Sequence, residues 1–188
     1  MLFSVPCCAR QGPHHAEPVP RDSQRTVVAP VDLAVVTPDG DAGPLPALAE
    51  PGSHGRGSVV MLIRFPTPWG NQAEIAGAFL LLGLQDAAQP DGRAVRVEVA
   101  RILDPWVGSD VSWGRLPRLS PVEITTSAPV SSAAPLRIDV THIVRRWTKG
   151  KSDDRGIALL VCANGPFSPG YATGASGGLA PRLDVYVR

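Results

Sequence analysis

The residues best suited to chemistry in this chain are aromatic and basic, and the chemistry they suggest is recognition. Trp69, Trp106, Trp113 and Tyr171 offer flat apolar faces, with Arg101, Arg115 and Arg118 close in sequence to two of the tryptophans. Sugar recognition uses this combination: a ring stacks on the C–H face of a pyranose, nearby planar groups fix its orientation, and anionic sugars add a demand for arginine or lysine. Trp69 lies in the turn-rich run Pro66-Thr67-Pro68-Trp69-Gly70-Asn71 and is expected at the surface, as a sugar platform or as a subunit contact. Trp106 and Trp113 fit core or loop packing as well as ligand contact.

Catalytic patterns are weaker. Gly174-Ala175-Ser176-Gly177-Gly178 satisfies G-x-S-x-G literally. A nucleophile elbow, however, needs a preceding strand, a following helix, and an acid and a histidine later in the chain; no histidine follows Ser176. Glu74, Glu98, Asp104, Asp110 and Glu123 supply carboxylates, but no spacing singles out a glycosidase pair. His14-His15 with Cys7-Cys8 lacks zinc-finger spacing, and Asp39-Gly40-Asp41 and Asp153-Asp154 read as turn and helix-end residues as readily as calcium ligands. The expectation is a non-enzyme with no metal and no cofactor; Walker and dinucleotide fingerprints are missing from the sequence. A net charge of +1, with Arg145, Arg146, Lys149 and Lys151 answered by Asp153 and Asp154, gives no reason to expect nucleic acid.

The elements that must position such groups are mostly strands. Val59, Met61, Ile63 and Phe65 alternate with the largely apolar Val60, Leu62 and Arg64, which predicts a strand buried on both faces. Ala78 to Leu84 reads as a central strand. Val95, Val97 and Val99 alternate with Arg96, Glu98 and Ala100, and Asp91-Gly92 marks a turn between these two segments. Ile157 to Cys162 is another apolar strand; Leu183, Val185 and Val187, alternating with Asp184, Tyr186 and Arg188, form one more, pinned into a sheet. One helix stands out. With Asp139 as N-cap, Val140, Ile143, Val144 and Trp147 form one apolar stripe, Ile138 and Ile143 make a hydrophobic staple, and Gly150 closes the helix.

Strands punctuated by Gly, Pro, Asp and Asn turns, with a single convincing helix, predict an all-β antiparallel jelly-roll sandwich whose short amphipathic helix covers an open end. The expected division is a tail over residues 1–25 and one domain over 26–188. The same ordered residues resemble the DNRLRE-domain family, related to carbohydrate-binding modules of secreted and cell-surface prokaryotic proteins. The similarity runs through Leu62-Ile63-Arg64-Phe65, Ile75, Ala78, Leu80 and Leu82, then Val97, Val99, Ile102, Pro105-Trp106 and Val111-Ser112-Trp113 with Pro117. Its densest block is Ile138-Asp139-Val140-Thr141 with Val144, Trp147 and Gly150, followed by Gly156-Ile157-Ala158-Leu159 and Pro181-Arg182-Leu183-Asp184-Val185. The chain departs from that pattern at Pro105 and at Pro169-Gly170, where relatives carry acidic residues.

The resemblance implies an extracellular or cell-surface module that binds polysaccharide without catalysis, and it sets Trp106 and Trp113 at framework positions; by residue type Trp69, Trp106, Trp113, Arg115 and Tyr171 are the candidate ligand residues, with Asp139 and Trp147 structural. The competing reading is a structural subunit of a surface layer, fibre or shell that meets neighbouring subunits through the same sandwich. Met1 to about Arg25 has no periodic segment; its apolar start is too short to span a membrane. Cys7 or Cys8 would carry a lipid anchor if this start were the remnant of a lipoprotein signal, and a docking arm is the alternative. Cys162 reads as a buried free thiol, so disulfides are not expected to hold the fold.

Overall fold

Alternating apolar side chains build two antiparallel sheets around a shared core. The computed structural model describes residues 20–36, 58–70, 72–82, 94–129, 135–149, 155–162 and 180–188. Within them run β1 (Gln24–Val28), β2 (Asp32–Val36), β3 (Ser58–Arg64), β4 (Ile75–Leu82), β5 (Ala94–Arg101), β6 (Ile124–Pro129), β7 (Leu136–Asp139), helix α1 (Thr141–Thr148), β8 (Ile157–Cys162) and β9 (Arg182–Val187). Sheet A has the order β1-β9-β4-β7 and sheet B the order β2-β3-β8-β5-β6. The chain is mostly β, with the two sheets arranged as a sandwich. Cys7, Cys8, His14, His15, Asp39, Asp41, the Asp91-Gly92 turn, Gly150, Asp153, Asp154, Tyr171 and the Gly174–Gly178 motif lie outside the described residues, as does the Cys162 side chain.

Two apolar clusters explain the strand patterns. The larger joins Met61, Ile63, Phe65, Val97, Val99, Ile157 and Leu159 of sheet B to Ala78, Leu80, Leu82, Ile138, Leu183 and Val185 of sheet A. The smaller lies on the other face of sheet B, where Ala34, Val36, Val60, Leu62 and Ala158 meet Ile102, Trp106 and Val111. Strand β3 therefore has an apolar second face because residues 102–119 fold back over it. That segment is tied to the end of β5 by Leu103 N–H donating to the Arg118 carbonyl (2.9 Å) and Ser120 N–H to the Arg101 carbonyl (2.9 Å). Strands β4 and β5, between which a turn is expected at Asp91-Gly92, belong to different sheets.

Helix α1 packs its stripe into the core, since Val140, Ile143, Val144 and Trp147 all join the larger cluster. Its start is one residue later than the stripe suggests. Val140 occupies the N-cap position, and its carbonyl accepts from Ile143 (3.0 Å) and Val144 (3.1 Å). Asp139 keeps a related job from one residue further out: its Oδ1 accepts from the Thr141 N–H at 2.9 Å. The staple positions move with it, although Ile138 and Ile143 still meet in the core.

The transition from β7 to α1 exchanges one hydrogen-bond acceptor for another. The ladder pairs Phe79 with Asp139 and continues one bond further, Val140 N–H donating to the Ala78 carbonyl at 2.9 Å. The reciprocal bond would need the Val140 carbonyl, already committed to the helix. Thr141 supplies the substitute, its Oγ1 accepting from the Ala78 N–H at 2.9 Å. Beyond Ala78, β4 carries an irregularity between Ile75 and Gly77 that frees carbonyls from regular pairing. Arg145 on α1 donates to the Ile75 carbonyl from Nε (2.8 Å) and to the Ala76 carbonyl from Nη2 (3.3 Å). The helix thus completes the edge of β4 that β7 leaves.

Gly156, before β8, has φ of 103°, and a Cβ there would lie 2.3 Å from the Ile63 carbonyl oxygen. Gly156→Ala is expected to cost about 2 kcal/mol or more, since it adds a left-handed strain to a backbone clash. Thr141→Val should cost about 1–3 kcal/mol by stranding the Ala78 N–H, whereas Thr141→Ser should stay close to wild type. Urea unfolding of the three variants checks both.

Candidate functional site

The core-facing set of sheet A fixes what its other face presents. Leu183 and Val185 of β9, Ala78, Leu80 and Leu82 of β4 and Ile138 of β7 point inward. Alternation then turns Arg182, Asp184 and Tyr186, Phe79 and Leu81, and Arg137 and Asp139 to the outer face. Strand register sorts them into rows. Arg25, Tyr186 and Gly77 form the first row, and Val27, Asp184, Phe79 and Asp139 the second. Arg182, Leu81 and Arg137 make the third. Gly77 puts no side chain beside Tyr186.

Contacts within these rows are specific. Arg137 lays its guanidinium 3.7 Å from the centroid of the Phe79 ring, and Tyr186 meets the same ring edge-on with centroids 5.9 Å apart. Phe79 is consequently only 3% exposed although it lies on the outer face. Arg25 donates to Asp184 Oδ2 from Nε (3.1 Å) and Nη2 (2.5 Å). Arg182 approaches from the neighbouring row, its Nε 4.0 Å from Asp184 Oδ1. Asp184 itself is 5% exposed. The assembled face carries one half-buried phenol ring, three guanidinium groups and a buried carboxylate, a set able to stack on one ligand group and hydrogen-bond others.

The residues favoured by sequence fall elsewhere. Trp106 is 6% exposed and sits in the smaller cluster. Its Nε1 donates to the Arg155 carbonyl at 2.6 Å, and the Arg64 guanidinium lies 5.5 Å from its ring centroid. Arg64 also pairs with Asp32 at 2.8 Å, so this tryptophan clasps residues 102–119 to sheet B and has no face left for a ligand. Trp113 is half-buried against the same cluster, in a short 3₁₀ turn with the exposed Arg115. Trp69, expected at the surface, is instead half-buried against the larger core, with its Nε1 occluded and unpartnered among the described residues. A turn-rich loop carries it, but the ring packs inward against that core. Trp106, Trp113 and Arg115 share one loop; Trp69 packs with the other cluster, and they do not converge on one groove.

The outer-face residues of sheet A did have a sequence signal. Arg182, Asp184 and Tyr186 are the polar half of the β9 alternation. Phe79 had none, because it is embedded in the apolar run of β4.

A second polar cluster joins the end of β5, the segment before β6 and α1. Glu123 accepts from Arg101 Nε, from Ser120 Oγ (3.1 Å) and from His142 on α1 (2.8 Å). The serine and histidine both contact the carboxylate rather than each other, so no nucleophile–base pair is formed. Burial pushes the Glu123 carboxyl up, but the hydrogen bonds from Arg101 and His142, the Arg101 charge and the Ser120 hydroxyl together hold it below its ordinary value. On the exposed loop, hydrogen bonds from Arg118 likewise lower Asp104.

Among the described residues no three His, Cys, Asp or Glu side chains are grouped to hold a metal ion. No helix there is long and apolar enough to cross a membrane. Comparison of the chain with protein-family models and with curated proteins finds no match.

A folded-state carboxyl lowered relative to the unfolded chain adds stability above its unfolded pKa, and that stability is lost as pH falls through the folded value. Glu123→Gln should therefore destabilise by about 1.5–3 kcal/mol at neutral pH, the range for hydrogen bonds to a charged group. The difference from wild type should shrink below about pH 4, where an ordinary glutamate is protonated. Thermal unfolding as a function of pH measures it.

Proposed function

We propose that this chain is a non-catalytic carbohydrate-binding module of the cell surface or extracellular space, and that a polysaccharide lies across the outer face of sheet A. The observation that carries this reading is the row arrangement: Tyr186 beside a side-chain-free Gly77, Arg25 and Arg182 at the buried Asp184, and Arg137 over Phe79. A sheet face of this kind offers a stacking surface and planar donors at fixed spacing, since neighbouring strands lie about 4.8 Å apart. Sugar chains need both.

We also propose that the connectivity is a jelly roll. Two antiparallel sheets ordered β1-β9-β4-β7 and β3-β8-β5-β6, with β2 added at the edge of the second, support it. Successive strands from β3 to β6 pass from sheet B to A and back to B, which sets paired Greek keys around one core. The resemblance to the DNRLRE-domain family agrees with both proposals, and its framework position for Trp106 agrees with the burial of that ring. Trp106 belongs to the framework here, and Tyr186 takes the stacking role.

The competing reading, a subunit of a surface assembly, draws on the exposed Val27 and Val31 that flank the crossover from β1 to β2. Calorimetric titration with a panel of neutral and acidic polysaccharides, alongside light scattering, separates the two. Tyr186→Ala is expected to weaken glycan affinity by about fivefold to tenfold, the scale of one aromatic contact, with Trp113→Ala unchanged. A chain indifferent to every glycan, whose mass rises with concentration, would overturn the binding reading in favour of assembly.

A further inference from the structure

Arg182 Nε and Asp184 Oδ1 are both occluded and lack a hydrogen-bond partner among the described residues. At 4.0 Å they are too far apart to bond each other. The other carboxylate oxygen is already held by Arg25, so Asp184 is pinned while Oδ1 stays unused. A donor and an acceptor therefore lie 4.0 Å apart, a span that one group between them would bridge.

We propose that this gap is a subsite for a hydroxyl group of a neutral sugar, a reading that rests on the carbohydrate-binding function above. The chemistry narrows the occupant. A carboxylate or sulfate would satisfy Arg182 but bring a like charge onto Asp184 Oδ1, and an ammonium would do the reverse against the guanidinium. A hydroxyl both donates and accepts, so it takes the N–H of Arg182 and gives its proton to Asp184. An oxygen about 2.8 Å from each of two atoms 4.0 Å apart subtends roughly a right angle, which a hydroxyl tolerates. Access is on the Arg182 side, where that side chain is 41% exposed, while Asp184 is held by Arg25. Tyr186 lies two residues further along β9 on the same face, about 6.6 Å away along the strand, so a ring stacked there brings its own or its neighbour's hydroxyl to the gap. Asp184 and Arg182 thus make the site select uncharged over acidic units at this position, despite the surrounding arginines.

The test uses the full chain, titrated with a soluble neutral β-glucan and with the same glucan oxidised to the carboxylate at C6. The wild type is expected to prefer the neutral chain. Arg182→Lys keeps the charge but loses the Nε–H, and should weaken neutral-glucan binding by about tenfold or more with an unchanged melting temperature. Asp184→Asn removes the like charge and should raise the relative affinity for the oxidised chain; if it does not fold, the lysine variant decides. Neutral-glucan affinity unchanged in the lysine variant would assign the gap to solvent and overturn the subsite, as would a wild-type preference for the oxidised chain. Failure of the wild type to bind either polymer, or any other glycan of the panel, would overturn the carbohydrate reading itself.

Discussion

At Ala78 the backbone of β4 has to be satisfied by a chain that is leaving the sheet. Val140 cannot serve both the ladder and the helix with one carbonyl, and a buried N–H without an acceptor costs about as much as a lost hydrogen bond. The Thr141 hydroxyl resolves the conflict, and Arg145 extends the same solution to the carbonyls of Ile75 and Ala76. Because these bonds fix where α1 sits, they also fix where Ile143, Val144 and Trp147 enter the core and where His142 meets Glu123. The packing of α1 into the core, and the polar cluster that His142 joins, both follow from that local exchange.

The two sheets handle their outer faces differently. Sheet B is covered by its own chain: residues 102–119 lay Ile102, Trp106 and Val111 over Val60 and Leu62, and the Arg64, Asp32 and Gly108 contacts lock the segment down. Sheet A instead covers itself with side chains, Arg137 lying over Phe79 and Arg25 closing on Asp184. Both devices keep apolar surface from water. Only the second leaves polar, planar groups on the outer face of the sheet, and for that reason the candidate site is on sheet A.

The parts of the fold that were legible in the sequence are those with strong periodicity. Strands β3, β5 and β9 follow their alternation, β4 and β8 their apolar runs, and the stripe of α1 identifies the helix that packs into the core. Strands β1, β2 and β6 were not read: the first two are five-residue edge strands separated by Ala29-Pro30-Val31, and Ile124–Pro129 has too few large apolar residues to announce itself. The site was harder for a different reason. A tryptophan is equally at home in a core and on a binding surface, and the choice for Trp106 depends on a tertiary event, the folding of its loop over sheet B. Conversely, Arg25, Arg137 and Tyr186 look like ordinary solvent-facing strand residues until the register of four strands puts them together. Side-chain type suggested the kind of chemistry, while strand order decided which residues share a face.

Strand β9 lies between β1 and β4, so residues 24–28 have no partner in sheet A until residues 182–187 reach them. Closing a loop of that length is entropically costly before any contact repays it, and topologies dominated by such distant pairings fold slowly, on a scale of milliseconds to seconds. The β3–β8 pairing in sheet B has the same character. Both sheets therefore await their central strands, and during that interval the apolar faces of β3 and β4 remain open to solvent and to other chains. For this molecule the hazardous period is kinetic: a cell making it must carry the chain through a phase in which its most aggregation-prone strands are complete and their partners have yet to arrive.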